Sequence, residues 1–191
     1  MTARLRAHPW LAAVLASALL LAAVWAVQLA KLARSTADNA DYWSRPHGEP
    51  GGLLYVALGD SAAQAIGASD PEHGYVSLLG DRLRDGTGRP VEVVNLSSSG
   101  ARISDVLDTQ LPALRALGRT PDVLTVAIGG NDVRAYDRAT FEAEAERLVS
   151  ALPAGTYVAD APYFMHGHWE QDAQQAADVL RRAASARHWR G

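Results

Sequence analysis

The apolar run Leu53-Leu54-Tyr55-Val56-Ala57-Leu58 passes directly into Gly59-Asp60-Ser61-Ala62-Ala63, and this junction limits the possible folds more than any other segment. An apolar run of this length, bounded by turn residues and lacking alternation, reads as a fully buried strand. The serine follows it on a turn opened by Gly59, so its hydroxyl emerges at the carboxyl end of a sheet. Open α/β folds place their chemistry at that edge. Gly, Asp and Ser are ordinary turn residues, so the junction gains its weight from two later segments.

From Leu53 onward, strand and helix patterns alternate. Val76, Leu79 and Leu83 mark one helical face, which Gly86-Thr87-Gly88-Arg89-Pro90 terminates. Val91–Asn95 reads as a second strand, and Ile103, Val106, Leu107, Leu111, Leu114 and Leu117 continue a helical stripe. Pro112 interrupts that stripe, which predicts a kink or two short helices. A third strand covers Asp122–Ile128. A helix follows with Phe141, Ala145, Leu148, Val149 and Leu152 inward, then a fourth strand at Thr156–Asp160. A last helix carries Ala173, Ala176, Ala177, Leu180 and Ala184. Strands joined by helices of this length form right-handed crossovers in a mostly parallel sheet. The expected fold class is a three-layer α/β/α sandwich over residues 53–191.

The segment before this domain has a different character. Trp10 to Ala30 is 21 residues interrupted only by Ser17 and Gln28, with Arg4 and Arg6 before it and Lys31 and Arg34 after. About 20 apolar residues cross a bilayer as a helix, whereas a cleavable signal core is shorter, about 7–15 residues. Residues 1–30 therefore read as an uncleaved transmembrane signal-anchor in preference to a cleaved signal. The domain is expected outside the cytoplasm, either as a single-pass membrane protein or secreted after cleavage. Residues 31–52, dense in Pro and Gly from Ser44 onward, read as a linker. The net charge of −3 opposes a nucleic-acid surface. The absence of cysteine excludes disulfides, thiolate nucleophiles and cysteine zinc sites.

The supporting segments are Asn95-Leu96-Ser97-Ser98-Ser99-Gly100-Ala101 and Gly129-Gly130-Asn131-Asp132. With Gly59-Asp60-Ser61 they place polar, glycine-bearing turns at the carboxyl ends of parallel strands, where they can converge. Acyl transfer needs a nucleophilic hydroxyl and donors aimed at the oxyanion. Ser61 offers the hydroxyl, its own N–H and Gly100 offer backbone donors, and Asn131 offers a side-chain amide. Asp60, Gly130 and Asp132 are candidate supporting residues.

In these blocks and their order the chain resembles the SGNH (GDSL-type) hydrolases, over roughly Leu53 to Arg187. The resemblance implies a flavodoxin-like sheet and serine ester hydrolysis. It also implies an oxyanion hole from Ser61, Gly100 and Asn131, with no cofactor and no metal. The implied partner is a small-molecule, lipid or carbohydrate ester. The family's last block, Asp-x-x-His, supplies the general base and its orienting carboxylate. No such block follows the last helix before His188-Trp189-Arg190-Gly191, and the element order is one strand short. The expectation is therefore that the natural chain continues past Gly191.

His166 and His168 lie in the loop after the fourth strand and are candidates for a substrate rim, and for the base only secondarily. His73 reads as a surface or capping residue. Tyr163, Phe164, Met165 and Trp169 beside them suit core packing or an acyl-chain wall, and Asn95-Leu96-Ser97 reads as structural rather than glycosylated. A non-catalytic ligand-binding domain on the same fold is the alternative function. A nucleotide binder is disfavoured because no Gly-rich phosphate loop opens a helix.

Overall fold

A computed structural model describes residues 9–159 and 168–186. Its centre is a five-stranded sheet ordered β1-β3-β2-β4-β5. The strands are β1 (His47–Gly48), β2 (Leu53–Gly59), β3 (Val91–Asn95), β4 (Val123–Ala127) and β5 (Tyr157–Val158). The four strands from β2 onward run parallel, and β1 lies antiparallel on β3 at one edge. The first of the parallel strands sits inside the second, and the third and fourth follow on its other side, which is the flavodoxin-like order.

Every residue of β2 is buried, as its unbroken apolar run requires. Alternate β2 residues feed opposite faces. Leu54, Val56 and Leu58 join a core with α3 (Ile103–Asp105), α4 (Leu111–Ala116), α5 (Arg138–Ala151) and α6 (His168–Ala186). Leu53, Tyr55 and Ala57 join a second core with Val76 of α2 (Tyr75–Thr87). The three-layer expectation therefore holds. The interruption at Pro112 also appears, as a π turn at Val106–Gln110 between α3 and α4.

The linker read over residues 31–52 is corrected in its first half. Helix α1 spans Pro9–Tyr42 without a break. No Pro or Gly lies between Lys31 and Tyr42, while Leu32, Ala33, Ala37 and Ala40 are good helix formers. The end of this segment packs on the domain: Asn39 is 4% and Trp43 6% exposed. Tyr42 and His47 stack with ring centroids 3.8 Å apart. His47 and Gly48, read as tether, instead add the edge strand. The fourth strand is shorter than the sequence suggests, two residues long, with Tyr157 exposed. Among the described residues nothing pairs with its outer edge.

Candidate active site

The nucleophile turn is shaped by Gly59, whose φ of +147° leaves its α-carbon against β4. A β-carbon there would lie 2.3 Å from the Ala127 carbonyl oxygen. The Asp60 N–H donates to that same oxygen at 3.2 Å, and the N–H groups of Ala63 and Gln64 then donate back to the Asp60 carbonyl. The Asp60 carboxylate accepts the Ala62 N–H at 3.0 Å, a local turn-fixing bond. Burial raises the Asp60 carboxyl above its ordinary range, and this bond opposes the shift. Ser61 is half-buried between these groups, and no described side chain bonds to its hydroxyl.

Buried amides brace this turn, and of them the motif-based reading picked out Asn95 but not Gln110, Gln64 or Asn39. Gln110, 2% exposed, grips Gly59 from both sides. Its Oε1 accepts the Gly59 N–H and its Nε2 donates to the Gly59 carbonyl, each at 2.8 Å. Gln64 donates to the Ser97 carbonyl at 3.0 Å and accepts from the Ser99 N–H and hydroxyl. Asn95 donates to the Ala63 carbonyl at 2.7 Å, so its amide serves the fold as expected for the sequon position. Asn39 of α1 donates to the Gln64 carbonyl at 2.8 Å. A buried Gln or Asn next to a backbone turn is the available sequence signal, but it shares that composition with any polar loop residue.

The second turn meets the first through the Ser98 N–H, which donates to the Gly59 carbonyl at 3.1 Å. Gly100 is exposed, with φ +83° and nothing within 4 Å of a would-be β-carbon. The third turn brings Asn131, flanked by Gly130, to the same place. Its Nδ2 donates to the Ala101 carbonyl at 3.0 Å and lies 3.5 Å from the Asp60 carboxylate. An amide nitrogen has two hydrogens, so the weaker, longer contact leaves one free to be redirected. The structure thus brings Ser61, Gly100 and Asn131 to one edge, through Asp60 and Ala101.

Asp132 beside them points back into the fold, where its Oδ1 meets the Ile103 N–H at 3.4 Å. Its Oδ2 is buried without a partner. Desolvation pushes this carboxyl up to about 6, with Glu144 adding to the rise and Arg102 opposing it. A cavity of about 300 Å³ opens there, lined by Arg102, Asp132, Tyr136 and Glu144 among others. A larger cleft of about 700 Å³ is lined, among the described residues, by α5 and α6.

His166 and the Tyr163-Phe164-Met165 cluster lie outside the described residues; His168 is the first residue of α6 and Trp169 beside it is exposed. His73 is exposed, as expected, and bonds Asp70 at 2.7 Å. Asp70 also caps the short 3₁₀ turn Pro71–His73. The pair has the Asp-x-x-His spacing, in a place where it closes a surface turn. Among the described residues no cluster of potential ligands could hold a metal ion.

Comparison with known proteins converges on the same reading. Residues 57–190 match the GDSL-like lipase/acylhydrolase family. The chain belongs to that family. No curated protein matches it. Among solved structures, the acetylxylan esterase Axe2 from Geobacillus stearothermophilus aligns with TM-score 0.58 and 22% identity, over 70% of this chain and 72% of that one. TesA aligns with TM-score 0.54 and 28% identity, over 68% of this chain and 74% of that one. A lipase/acylhydrolase from Enterococcus faecalis aligns with TM-score 0.57 and 21% identity, over 70% and 71%. Family and fold together support ester hydrolysis as the chemistry of this chain.

Proposed function

We propose that the chain is a serine ester hydrolase with Ser61 as nucleophile and an oxyanion hole formed by the Ser61 and Gly100 N–H groups and the Asn131 amide. The observation that carries this reading is the meeting of three turns at one sheet edge, with the Asn131 amide 3.5 Å from the carboxylate next to Ser61. Ser61 Oγ attacks the ester carbonyl as its proton passes to a base, and the carbonyl oxygen gains charge facing the N–H donors. Collapse expels the alcohol, which takes up that proton. Water then cleaves the acyl-Ser61 ester by the reverse use of the same base.

The reading requires a histidine base, since a serine hydroxyl is a weak nucleophile unaided. If residues 53–191 hydrolyse esters at ordinary enzymatic rates, His166 and His168 are the first candidates for the base, and replacing each by Ala decides between them. In the same reading α1 is a membrane anchor, with the domain outside the cytoplasm. Its residues 13–34 are exposed throughout and its composition suits a membrane span.

The decisive experiment treats the full-length protein with an organophosphonate and maps the adduct by mass spectrometry. Modification is expected at Ser61 and absent from Ser61→Ala, whose hydrolysis of p-nitrophenyl butyrate should vanish. An adduct on another serine, or unchanged turnover in Ser61→Ala, removes Ser61 from the mechanism.

A further inference from the structure

Helix α1 meets the domain at the edge that carries Ser61. The register fixes this: β1 enters opposite Val93 at His47 and moves on to Glu92 at Gly48, away from the carboxyl end of β3. The chain before His47 must therefore arrive from the carboxyl edge of the sheet. One turn before the helix ends, Asn39 donates to the carbonyl of Gln64, in the loop that starts at Ser61. Gln64 in turn holds the Ser97–Ser99 segment. Residues 13–34 of the helix are all exposed. A helix exposed over that length, whose end packs on the domain through Asn39 and Tyr42 beside the nucleophile loop, leads away from that edge. Trp43, buried in the α2 core, and the Tyr42–His47 stack fix its end.

The span of this projection is set by helix geometry. The apolar stretch ends at Ala30, nine residues before Asn39, which is a rise of about 14 Å. The headgroup layer accounts for about 5–8 Å of that rise. Lys31 and Arg34 stand where basic residues anchor a helix at the interface.

We infer that α1 holds the Ser61 edge toward the bilayer and that the ester substrate is an acyl ester carried in the membrane. This rests on the reading of α1 as an anchor and Ser61 as nucleophile. A domain hung from its opposite edge would present the three turns to bulk water. Here a lipid-borne ester needs only to rise past the headgroups to reach Ser61. Anchoring enzyme and ester on one surface also raises their effective concentration without any new contact.

The absence of cysteine makes the geometry measurable. The full-length protein is placed in phosphatidylcholine vesicles containing a headgroup-labelled acceptor lipid. A donor dye is attached to Ser98→Cys on the Ser61 edge or to Arg89→Cys on the opposite edge, both exposed positions. Energy transfer should be stronger from position 98; equal or reversed transfer overturns the orientation.

The substrate class is tested with two fluorophosphonates, one water-soluble and one with a long alkyl chain dissolved in the vesicles. Ser61 should react faster with the vesicle-held probe. A ten-residue Gly/Ser insertion between Leu32 and Ala33 should abolish that preference while leaving the soluble reaction unchanged. If the soluble probe modifies Ser61 and the vesicle-held probe gains nothing, the membrane substrate is refuted while the esterase reading stands. If transfer is asymmetric and neither probe modifies Ser61, the nucleophile assignment fails and the bilayer-facing edge stands.

Discussion

The Ser61 turn and the Asn131 turn share one sheet edge but are held in different ways. Around Ser61, the amides of Gln110, Gln64, Asn95 and Asn39, all nearly inaccessible to solvent, satisfy backbone groups at 2.7–3.0 Å. Around Asn131 there is one comparable bond, to the Ala101 carbonyl at 3.0 Å; the contacts to Asp60 and from Ile103 to Asp132 stretch to 3.5 and 3.4 Å. Buried polar groups are costly when unpaired, so the first turn is locked by the penalty for loosening it. The second carries little of that penalty, so its amide is the freer to turn toward charge on a substrate oxygen in the proposed mechanism. The difference separates residues that build the edge from residues proposed to act at it.

The strongest test of the locked turn is Gly59→Ala. Its β-carbon would sit 2.3 Å from the Ala127 oxygen, a backbone atom of the neighbouring strand that cannot move without parting β2 from β4. Alanine is also strained at the φ that Gly59 adopts, so we expect a loss of about 4 kcal/mol or failure to fold. Urea denaturation reads it out. A loss below about 0.5 kcal/mol, within the ordinary range of surface substitutions, would mean the β2–β4 junction is far more pliant than the contact implies.

Next in size is Gln110→Ala. It strips the Gly59 N–H of its acceptor and leaves the Gly59 carbonyl with the Ser98 N–H alone. An unsatisfied buried donor costs about 1–3 kcal/mol and the lost second bond to the carbonyl about 1 kcal/mol, giving a predicted loss of about 2–4 kcal/mol. Phosphonate reaction at Ser61 should slow in the folded fraction as well, because the turn loses its clamp. Equal stability of Gln110→Ala and wild type would erase the contrast between the two turns.

That contrast also marks what the sequence could show. The apolar run 53–58, the helical stripes and the three turns were legible because period and breakers are local properties. The proposed site residues Ser61, Gly100 and Asn131 could be nominated because each lies in a turn that follows a strand end. Gln110 was not, since its partner Gly59 is 51 residues away and the intervening π turn points it there. The end of α1 was misread as linker for a related reason. Polar residues such as Asn39 look solvent-facing until the Gln64 carbonyl that they satisfy is brought alongside. The two-residue edge strand at His47–Gly48 has no periodicity to read at all.

The pH dependence of the Asn131-Asp132 turn gives a smaller effect with a definite sign. An unfolded aspartate titrates near 4, whereas burial raises Asp132 to about 6. The folded state thus holds this proton more tightly, so the contribution is favourable below about pH 4 and lost as pH rises through about 6. Asp132→Asn removes the titration and keeps the shape. Relative to wild type it should be more stable at pH 7 than at pH 4, measured by urea midpoints at both. The opposite trend would show an ionised Asp132 held by Arg102.

The smallest change in stability is expected for Asn131→Ala, and the same substitution sharpens the comparison most. It removes one good hydrogen bond from a half-buried side chain, which contributes about 1 kcal/mol or less. If the amide serves the oxyanion, kcat should nevertheless fall by about 10²–10³, as for other single donors, with KM nearly unchanged because the donor engages charge formed only in the transition state. Gln110→Ala should show the reverse balance, a large loss of stability and a smaller loss of rate per folded molecule. Urea midpoints and steady-state rates on both variants of the full-length enzyme separate the two roles. Were Asn131→Ala to unfold as readily as Gln110→Ala, its amide would belong to the bracing of the edge and the oxyanion would need another donor.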